Sequence, residues 1–412
     1  MDSLLNSCKL AQKELLKLSN ENRNKCLENI SKALKDNIKF ILEENEKDIN
    51  NAKANGISSV MVDRLKLDEK RLNNIADSVI DVMNLKDYIG EVIEEFNPEN
   101  GLNIKKIRVP FGVICAIFES RPNVSVDITA LTIKTANACV LKGGKEAINT
   151  NKALVKVMRN AICDIVNPDI ITLIESTDRK TTDELITKKE YIDLLIPRGS
   201  KRLINYIVEN SKVPYIETGA GNCTLYVHED AKLHMALNVC INAKHQRPSV
   251  CNAIENIIVD KKIAANFLPE LKQAFETLTP SVEIRGDKEV QKIIDCKPAT
   301  DEDYYTEYND YIVSVKIVDG VDSAIEFINE HSTKHSEAII TEDMDAVNKF
   351  FTEVDSACLY HNASTRFTDG GEFGFGAEIG ISTTKLHARG PMGLREITTY
   401  KYIISGNGSV RK

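Results

Sequence analysis

Cys251 is the residue of this sequence best placed for nucleophilic chemistry. It follows a loop that contains Arg247 and Pro248, and an apolar stretch begins shortly after it. Because proline has a fixed φ and no N–H group, Pro248 suits the entry to a helix, and we expect Cys251 in the first helical turn or just before it. The positive end of a helix and the Arg247 guanidinium would both favour the reactive thiolate. An inert buried cysteine fits the same residues, so the pattern alone leaves both interpretations open.

Other candidate residues lie where strand-like segments give way to helices. Asn123 follows the first such strand, where it suits a helix N-cap. Arg198-Gly199-Ser200 follows a later strand: Gly199 allows close backbone approach, and Ser200 can cap a helix whose N-terminus receives a phosphate group. An ordinary strand-to-helix turn has the same composition, so these residues are candidates only.

A glycine-rich motif, Glu-Thr-Gly-Ala-Gly-Asn-Cys at 217–223, places Glu217 34 residues before Cys251. In this order and spacing the chain resembles the aldehyde dehydrogenase superfamily, and within it the branch that reduces γ-glutamyl phosphate. The resemblance is carried by segments that keep the family's order over most of the chain. These segments are 110–124 (Pro-Phe-Gly-Val-Ile-Cys-Ala-Ile-Phe-Glu-Ser-Arg-Pro-Asn-Val), 141–147, 196–200, 217–223, 245–254, 331–341 and 387–394.

The resemblance implies catalytic roles for two residues. Cys251 would be the nucleophile, and the Asn123 amide would join the Cys251 backbone N–H in stabilising the oxyanion, with about 3 kcal/mol per donor. Glu217 matches the general base of hydrolytic relatives. However, Thr218–Asn222 and Pro248-Ser249 depart from the hydrolytic pattern. We therefore expect Glu217 to have a cofactor-side or structural role.

The cofactor expectation rests on Lys142-Gly143-Gly144-Lys145, which closes the second strand of the first α/β region. Lys142 matches the superfamily lysine that binds the adenosine ribose, and NAD-dependent relatives place a glutamate three residues later, where this chain has Lys145. Since a lysine accepts a 2′-phosphate that a carboxylate would repel, the resemblance implies NADPH, with Gly143 and the 198–200 turn as further contacts. A lysine that only meets solvent at a helix start would look the same. No Gly-x-Gly-x-x-Gly follows the first strand, so the pattern by itself names no dinucleotide.

The substrate expectation also follows from the resemblance. It implies NADPH-dependent reduction of L-glutamyl 5-phosphate to L-glutamate 5-semialdehyde, with release of phosphate, in proline biosynthesis. Arg121 and Arg247 flank the candidate catalytic residues and could bind the substrate's anionic groups. A separate glutamate 5-kinase would supply the acyl phosphate and could associate with this protein. Two alternatives remain: another cysteine-dependent aldehyde or acyl-phosphate dehydrogenase, or an inactive binding protein of the same fold.

Length and composition narrow the class of protein. The chain has 412 residues, enough for two domains, and its 42% hydrophobic and 28% charged residues are ordinary for a globular protein. We expect no membrane contact, since there is no run of about 18 apolar residues and no signal peptide. Ten scattered cysteines without zinc-type spacing favour a cytoplasmic location and predict no metal site. The net charge of −8 argues against nucleic-acid binding.

The elements that must position these residues follow from periodicity. Residues 1–85 read as helices, with Leu4, Cys8, Ala11 and Leu15 on one face. We expect a hairpin over 88–109 and a terminal strand over 395–403. Over 112–217 and 222–390, short apolar strands alternate with helices, which is typical of parallel α/β sheets whose ligands bind at the carboxyl ends of the strands.

The expected fold class is therefore α/β and aldehyde dehydrogenase-like, with two Rossmann-like α/β domains and a small β oligomerisation element. We assign residues 1–87 and 109–221 to a cofactor-binding domain and residues 222–390 to a catalytic domain. Residues 88–108 and 391–412 form the oligomerisation element, which implies a homo-oligomer.

Overall fold

The computed structural model of the chain describes residues 1–57 and 59–411, which form two compact units. The first unit contains Met1–Thr218, Gly374–Gly380 and Met392–Lys412, and the second contains Gly219–Phe373 and Ile381–Pro391. The division after Thr218 lies close to the domain boundary expected at 221/222.

Helices open the first unit because apolar residues recur there at intervals of three and four. They are α1 (Asp2–Leu15), α2 (Asn20–Asp36), α3 (Ile38–Ala54), α4 (Ser59–Leu65) and α5 (Glu69–Asn84). Cys8, Ala11 and Leu15 are buried as predicted, but Leu4 is exposed and Leu5 takes its place in the core. None of the described helices is long and apolar enough to cross a membrane.

A parallel sheet forms the centre of the first unit. After the hairpin strands β1 (Val92–Phe96) and β2 (Asn103–Pro110) come β3 (Val113–Phe118), β4 (Ala138–Gly143), β5 (Ile171–Leu173) and β6 (Leu194–Arg198). The last four lie in the order β5-β4-β3-β6, all parallel. The helices of this region are α6 (Asn123–Lys134), α7 (Ile148–Ile162), α8 (Arg179–Leu185) and α9 (Lys201–Asn210). Every residue of β3 and β4 is buried, as expected for strands covered on both faces.

The second unit contains a parallel sheet of seven strands, in the order β10-β9-β11-β8-β7-β12-β13. The strands are β7 (Cys223–Val227), β8 (Ile254–Asp260), β9 (Glu283–Gly286), β10 (Lys297–Pro298), β11 (Ile312–Val318), β12 (Ser336–Ile340) and β13 (Cys358–His361). The helices are α10 (Leu233–His245), α11 (Lys261–Thr277), α12 (Lys288–Gln291), α13 (Gly320–His331) and α14 (Met344–Glu353). Leu225 and Tyr226 belong to two different core clusters, because successive side chains of β7 point to opposite buried faces. The predicted α/β class is therefore confirmed.

Two smaller sheets complete the fold. Strand β14 (Gly380–Ser382) pairs with β15 (Gly390–Met392), and β16 (Thr398–Ser405) runs antiparallel to β2, which gives a sheet of order β1-β2-β16. The predicted hairpin and terminal strand are both present. Several large apolar side chains of this sheet are exposed: Val92, Ile93, Phe96, Tyr400, Tyr402, Ile403 and Ile404.

Candidate active site

Cys251 lies in a turn between the end of α10 and the start of β8, and it is half-buried. The expected helix N-terminus at Cys251 is therefore wrong. Pro248 enters a turn rather than a helix, and the β-branched residues Ile254, Ile257 and Ile258 continue the chain as a strand. A helix dipole at Cys251 thus gives no support for a thiolate.

A buried ion pair joins the two ends of this turn. The Lys244 Nζ atom, in the last turn of α10, lies 2.5 Å from Glu255 Oε2 at the start of β8, and both side chains are fully buried. Burial raises the pKa of Glu255 to about 8 and lowers the pKa of Lys244, while each partner opposes the effect on the other. Removing either partner would leave a buried charge without compensation. The pair therefore holds together the two chain segments on either side of the Cys251 turn.

Residues 221–223 pack directly against Cys251. A Cβ atom added at Gly221 would lie 1.4 Å from the Cys251 carbonyl oxygen, so only glycine fits this position. The Gly221 N–H donates to Glu307 Oε1 at 2.8 Å, and the Cys223 thiol donates to the Cys251 carbonyl oxygen at 3.2 Å. Burial raises the pKa of Cys223 well above its usual range, so this neighbouring thiol stays protonated. Gly221 and Cys251 precede β7 and β8, so they lie at the amino ends of these strands.

Asn123 begins α6 in the first unit. Pro122 occupies the N-cap position, so the expected capping role of Asn123 is wrong. Its amide Nδ2 donates instead to Asp127 Oδ2, one turn along the helix, at 2.8 Å. Burial raises the pKa of Asp127 to about 6, although the hydrogen bond from Asn123 acts in the opposite direction. Since an amide nitrogen has two hydrogens, this bond orients Asn123 and leaves its second N–H for another acceptor.

Two glutamates fix the loops at the carboxyl ends of the first unit's strands. Ser120 has a positive φ of 49°, and its N–H and hydroxyl both donate to Glu146 Oε1, at 2.7 and 2.9 Å. Glu119 Oε2 accepts the Ser200 N–H at 2.7 Å. Ser200 caps α9, as predicted, but a phosphate group at this amide would have to replace Glu119. A Cβ atom at Gly199 would lie 2.6 Å from the same carboxylate, which explains the glycine without a ligand.

The cofactor candidates at the end of β4 differ in exposure. Lys142 is buried, its Nζ donates to the Gly143 carbonyl oxygen at 3.1 Å, and burial lowers its pKa against the opposing charge of Glu146. A Cβ atom at Gly143 would lie 2.3 Å from Asn151 Nδ2. Lys145 is exposed. The two lysines therefore place one buried and one exposed cation at the carboxyl end of β4.

The remaining candidates are divided between the two units. Arg121 and Arg198 belong to the first unit with Asn123, and the half-buried Glu217 closes that unit. Arg247 belongs to the second unit, in the same loop as Cys251. Both Arg121 and Arg247 are exposed.

Sequence reasoning missed the charged residues that support the candidate site. Glu119, Asp127, Glu146, Lys244 and Glu255 were not singled out. The sequence contains a signal for Asp127 and Glu255, since each interrupts an apolar stretch, and a charge inside such a stretch needs a partner. For Glu119, Glu146 and Lys244, which have polar neighbours in the sequence, there is no such signal.

Comparisons with known proteins identify the family of this chain. The model of the aldehyde dehydrogenase family matches residues 1–311. A γ-glutamyl phosphate reductase from Dictyoglomus turgidum is 49% identical over 410 residues, which cover 99% of this chain and 98% of the relative. The crystal structure of γ-glutamyl phosphate reductase from Thermotoga maritima superposes with a TM-score of 0.97 at 45% identity and covers 100% of this chain and 99% of that one.

A more distant structure shares the fold alone. An engineered glycolyl-CoA reductase with bound NADP⁺ is 16% identical, has a TM-score of 0.69, and covers 98% of this chain and 96% of that one.

Proposed function

Because this chain belongs to the aldehyde dehydrogenase family and is about half identical, over nearly its whole length, to γ-glutamyl phosphate reductases, we propose that it reduces L-glutamyl 5-phosphate to L-glutamate 5-semialdehyde. Phosphate is released, and the reaction belongs to proline biosynthesis. At the residue level, the proposal is supported by the turn that contains Cys251. This turn leads directly into β8, and Gly221 packs against the carbonyl oxygen of Cys251.

Cys251 is the proposed nucleophile. Its thiolate attacks the acyl carbon of the acyl phosphate, the C–O bond to phosphate breaks, and phosphate leaves to give a thioester on Sγ. The Asn123 amide, oriented by Asp127, donates to the oxygen that becomes negative in each tetrahedral intermediate. Reduction of the thioester then releases the aldehyde and restores the thiolate.

NADPH is the proposed cofactor, and it supplies the hydride for that reduction. Lys142 and Lys145 support this choice. They place one buried and one exposed cation at the end of β4, and a cation attracts the 2′-phosphate of NADPH, which a glutamate at position 145 would repel. The glycolyl-CoA reductase of the same fold has bound NADP⁺. We place Gly143, Arg198, Gly199, Ser200 and Glu217 on the cofactor side.

The substrate is anionic and the chain has a net charge of −8, so local cations must bind it. We assign this role to Arg121 and Arg247, whose exposed guanidinium groups can form paired hydrogen bonds to phosphate or carboxylate.

We also propose a homo-oligomer built through the β1-β2-β16 sheet, since its exposed apolar side chains would be covered by a second copy of the chain. A cytoplasmic location and association with the kinase that supplies the acyl phosphate complete the proposal.

The reverse reaction tests the function. The protein should reduce NADP⁺ with glutamate 5-semialdehyde only when phosphate or arsenate is present to accept the acyl group. Full activity without either would instead support a hydrolytic aldehyde dehydrogenase, and no activity would support an inactive protein of this fold.

Cys251→Ala should abolish turnover, whereas Cys223→Ala should retain it. Activity of Cys251→Ala within about tenfold of the wild type would contradict the nucleophile assignment.

A further inference from the structure

Arg366 contacts the Cys251 loop on both sides of the cysteine. It lies in the short 3-10 turn Thr365–Phe367 that follows β13, where Ser364 is the cap. Its Nε atom donates to Gln246 Oε1 at 3.1 Å, and its Nη1 atom donates to Asn252 Oδ1. Gln246 begins the loop and Asn252 directly follows Cys251, so a single guanidinium joins the start of the loop to its end.

Asn252 returns these contacts. Its side-chain Nδ2 donates to the backbone carbonyl oxygens of Arg366 at 3.3 Å and Thr368 at 2.9 Å. The backbone carbonyl oxygen of Asn252 accepts a hydrogen bond from the Thr365 hydroxyl at 2.7 Å. Asn252 is 4% exposed, so these bonds are shielded from water. The position of the backbone next to Cys251 is therefore set by the turn that contains Arg366.

The charges around Arg366 make it a partner for a thiolate. Burial and the neighbouring Arg247 lower its pKa, whereas Asp369 and Cys251 act in the opposite direction. Asp369 already accepts backbone N–H groups in its own turn, from Gly371 at 2.8 Å and Glu372 at 3.3 Å. Cys223 remains a protonated thiol, so its charge does not compete.

The other ionisable groups beneath the loop do not supply a cation. Lys244 is paired with Glu255, and Glu337 is fully buried with hydrogen bonds from Ser332 and the Thr224 N–H. His335 is also fully buried, and burial lowers its pKa to about 4, so its ring is neutral near pH 7.

We propose that Arg366 is the positioning residue for the nucleophile: it fixes both sides of the Cys251 loop and supplies the positive charge that stabilises the Cys251 thiolate. The Arg366 charge thus takes the place of the helix N-terminus that the sequence predicts at Cys251, where the structure has a turn. The inference rests on the proposed function of Cys251 as nucleophile.

Alkylation of Cys251 tests the electrostatic part without any turnover. Wild type and Arg366→Met are treated with iodoacetamide between pH 6 and pH 10, and modification is measured on the Cys251 peptide, because Cys163 and Cys296 are also accessible. We expect the Arg366→Met profile to move to higher pH by about one unit, which lowers the alkylation rate at pH 7 about tenfold. Arg285→Met is the matched control, since Arg285 binds Glu283 and Asp303 elsewhere in the same unit; its profile should coincide with the wild type.

Two variants separate charge from position. Arg366→Lys keeps the charge but loses the fork that reaches both Gln246 and Asn252, so its alkylation profile should stay near the wild type while kcat falls and KM for NADPH is unchanged. Asn252→Ala should behave in the same way. If Arg366→Met fails to fold, these two variants still test the positioning role.

An Arg366→Met profile that coincides with the wild type would overturn the electrostatic role. Unchanged kcat in both Arg366→Lys and Asn252→Ala would overturn the positioning role. Failure of the proposed function would be seen separately, as turnover by Cys251→Ala.

Discussion

The two parallel sheets of this protein present their candidate site residues at opposite ends. In the first unit, Asn123 and Ser200 follow β3 and β6, and Lys142 is the next-to-last residue of β4, so all three lie at the carboxyl ends of the strands. In the second unit, Gly221 and Cys251 precede β7 and β8, at the amino ends. The candidate residues therefore follow the rule for ligand sites at the carboxyl ends of parallel strands in the first sheet but not in the second.

The two ends are also stabilised differently. At the carboxyl ends in the first unit, the carboxylates of Glu119 and Glu146 accept backbone N–H groups of neighbouring loops. At the amino ends in the second unit, the fully buried Lys244–Glu255 pair and the Arg366 contacts fix one loop. A bound cofactor phosphate can replace a carboxylate at an N–H group, whereas neither member of a buried ion pair can be removed alone without a large cost. The first arrangement suits binding and release, and the second suits a nucleophile in a constant position.

The largest effect should come from breaking the buried pair. Lys244→Met leaves Glu255 buried without a partner and should lower the free energy of unfolding by about 3–5 kcal/mol. Lys244→Met combined with Glu255→Met should recover most of that loss. In the first unit, Glu146→Ala removes the two bonds to Ser120 and should cost about 1–3 kcal/mol. Denaturant unfolding followed by circular dichroism measures all three, and a double variant as unstable as Lys244→Met would contradict the assignment.

A methyl group at Gly221 should have the next largest effect. Gly221→Ala must displace the backbone of Cys251, and a displacement of about 1 Å at a reacting group lowers kcat roughly a hundredfold. Gly143→Ala meets the side chain of Asn151 instead, so it should mainly raise KM for NADPH. Steady-state kinetics of both variants would test this contrast. Equal kcat values for the two would show that the close approach at Gly221 has no bearing on the nucleophile.

Sequence patterns predict the strands of the two sheets better than the loop that contains Cys251. Short apolar strands between helices are a strong signal, and β3, β4 and β8 lie within 112–217 and 222–390, the two regions where the sequence predicts this alternation. The local structure at Cys251 was not predictable from Pro248, because proline starts turns and helices equally well. The contacts of Arg366 join residues more than a hundred positions apart, and no local pattern contains that information.

The apolar residues of 213–216 also predict a strand. Val213 and Ile216 are buried, but this segment forms an isolated bridge between Tyr215 and Leu195 rather than a strand. Burial of a short apolar segment is visible in the sequence, whereas its hydrogen-bond partner depends on where the chain turns next.

Asp127 should make stability depend on pH in the first unit. Its pKa is about 6 in the folded protein and near 3.8 in the unfolded chain, so between these values the folded state binds more protons. Its contribution to stability is therefore full below about pH 4 and is lost as the pH rises to about 6. Asp127→Asn should remove that part of the slope while keeping an acceptor for the Asn123 amide. Thermal unfolding at pH 4, 5, 6 and 7 measures it, and parallel curves for variant and wild type would contradict the assignment.

The smallest effect is expected at the exposed end of the cofactor region. Lys145→Glu should reduce the preference for NADPH over NADH about two- to fivefold, because an exposed charge is screened by water and salt. The change should appear in the KM values, should grow at low ionic strength, and should leave kcat unchanged. Lys156→Glu is the matched control: it makes the same change in net charge at an exposed position of α7, about three helical turns further along the chain, and should leave the ratio unaltered. If both variants lower the ratio equally, the preference arises from the overall charge of the protein. If neither does, the assignment of Lys145 to the NADPH preference is wrong.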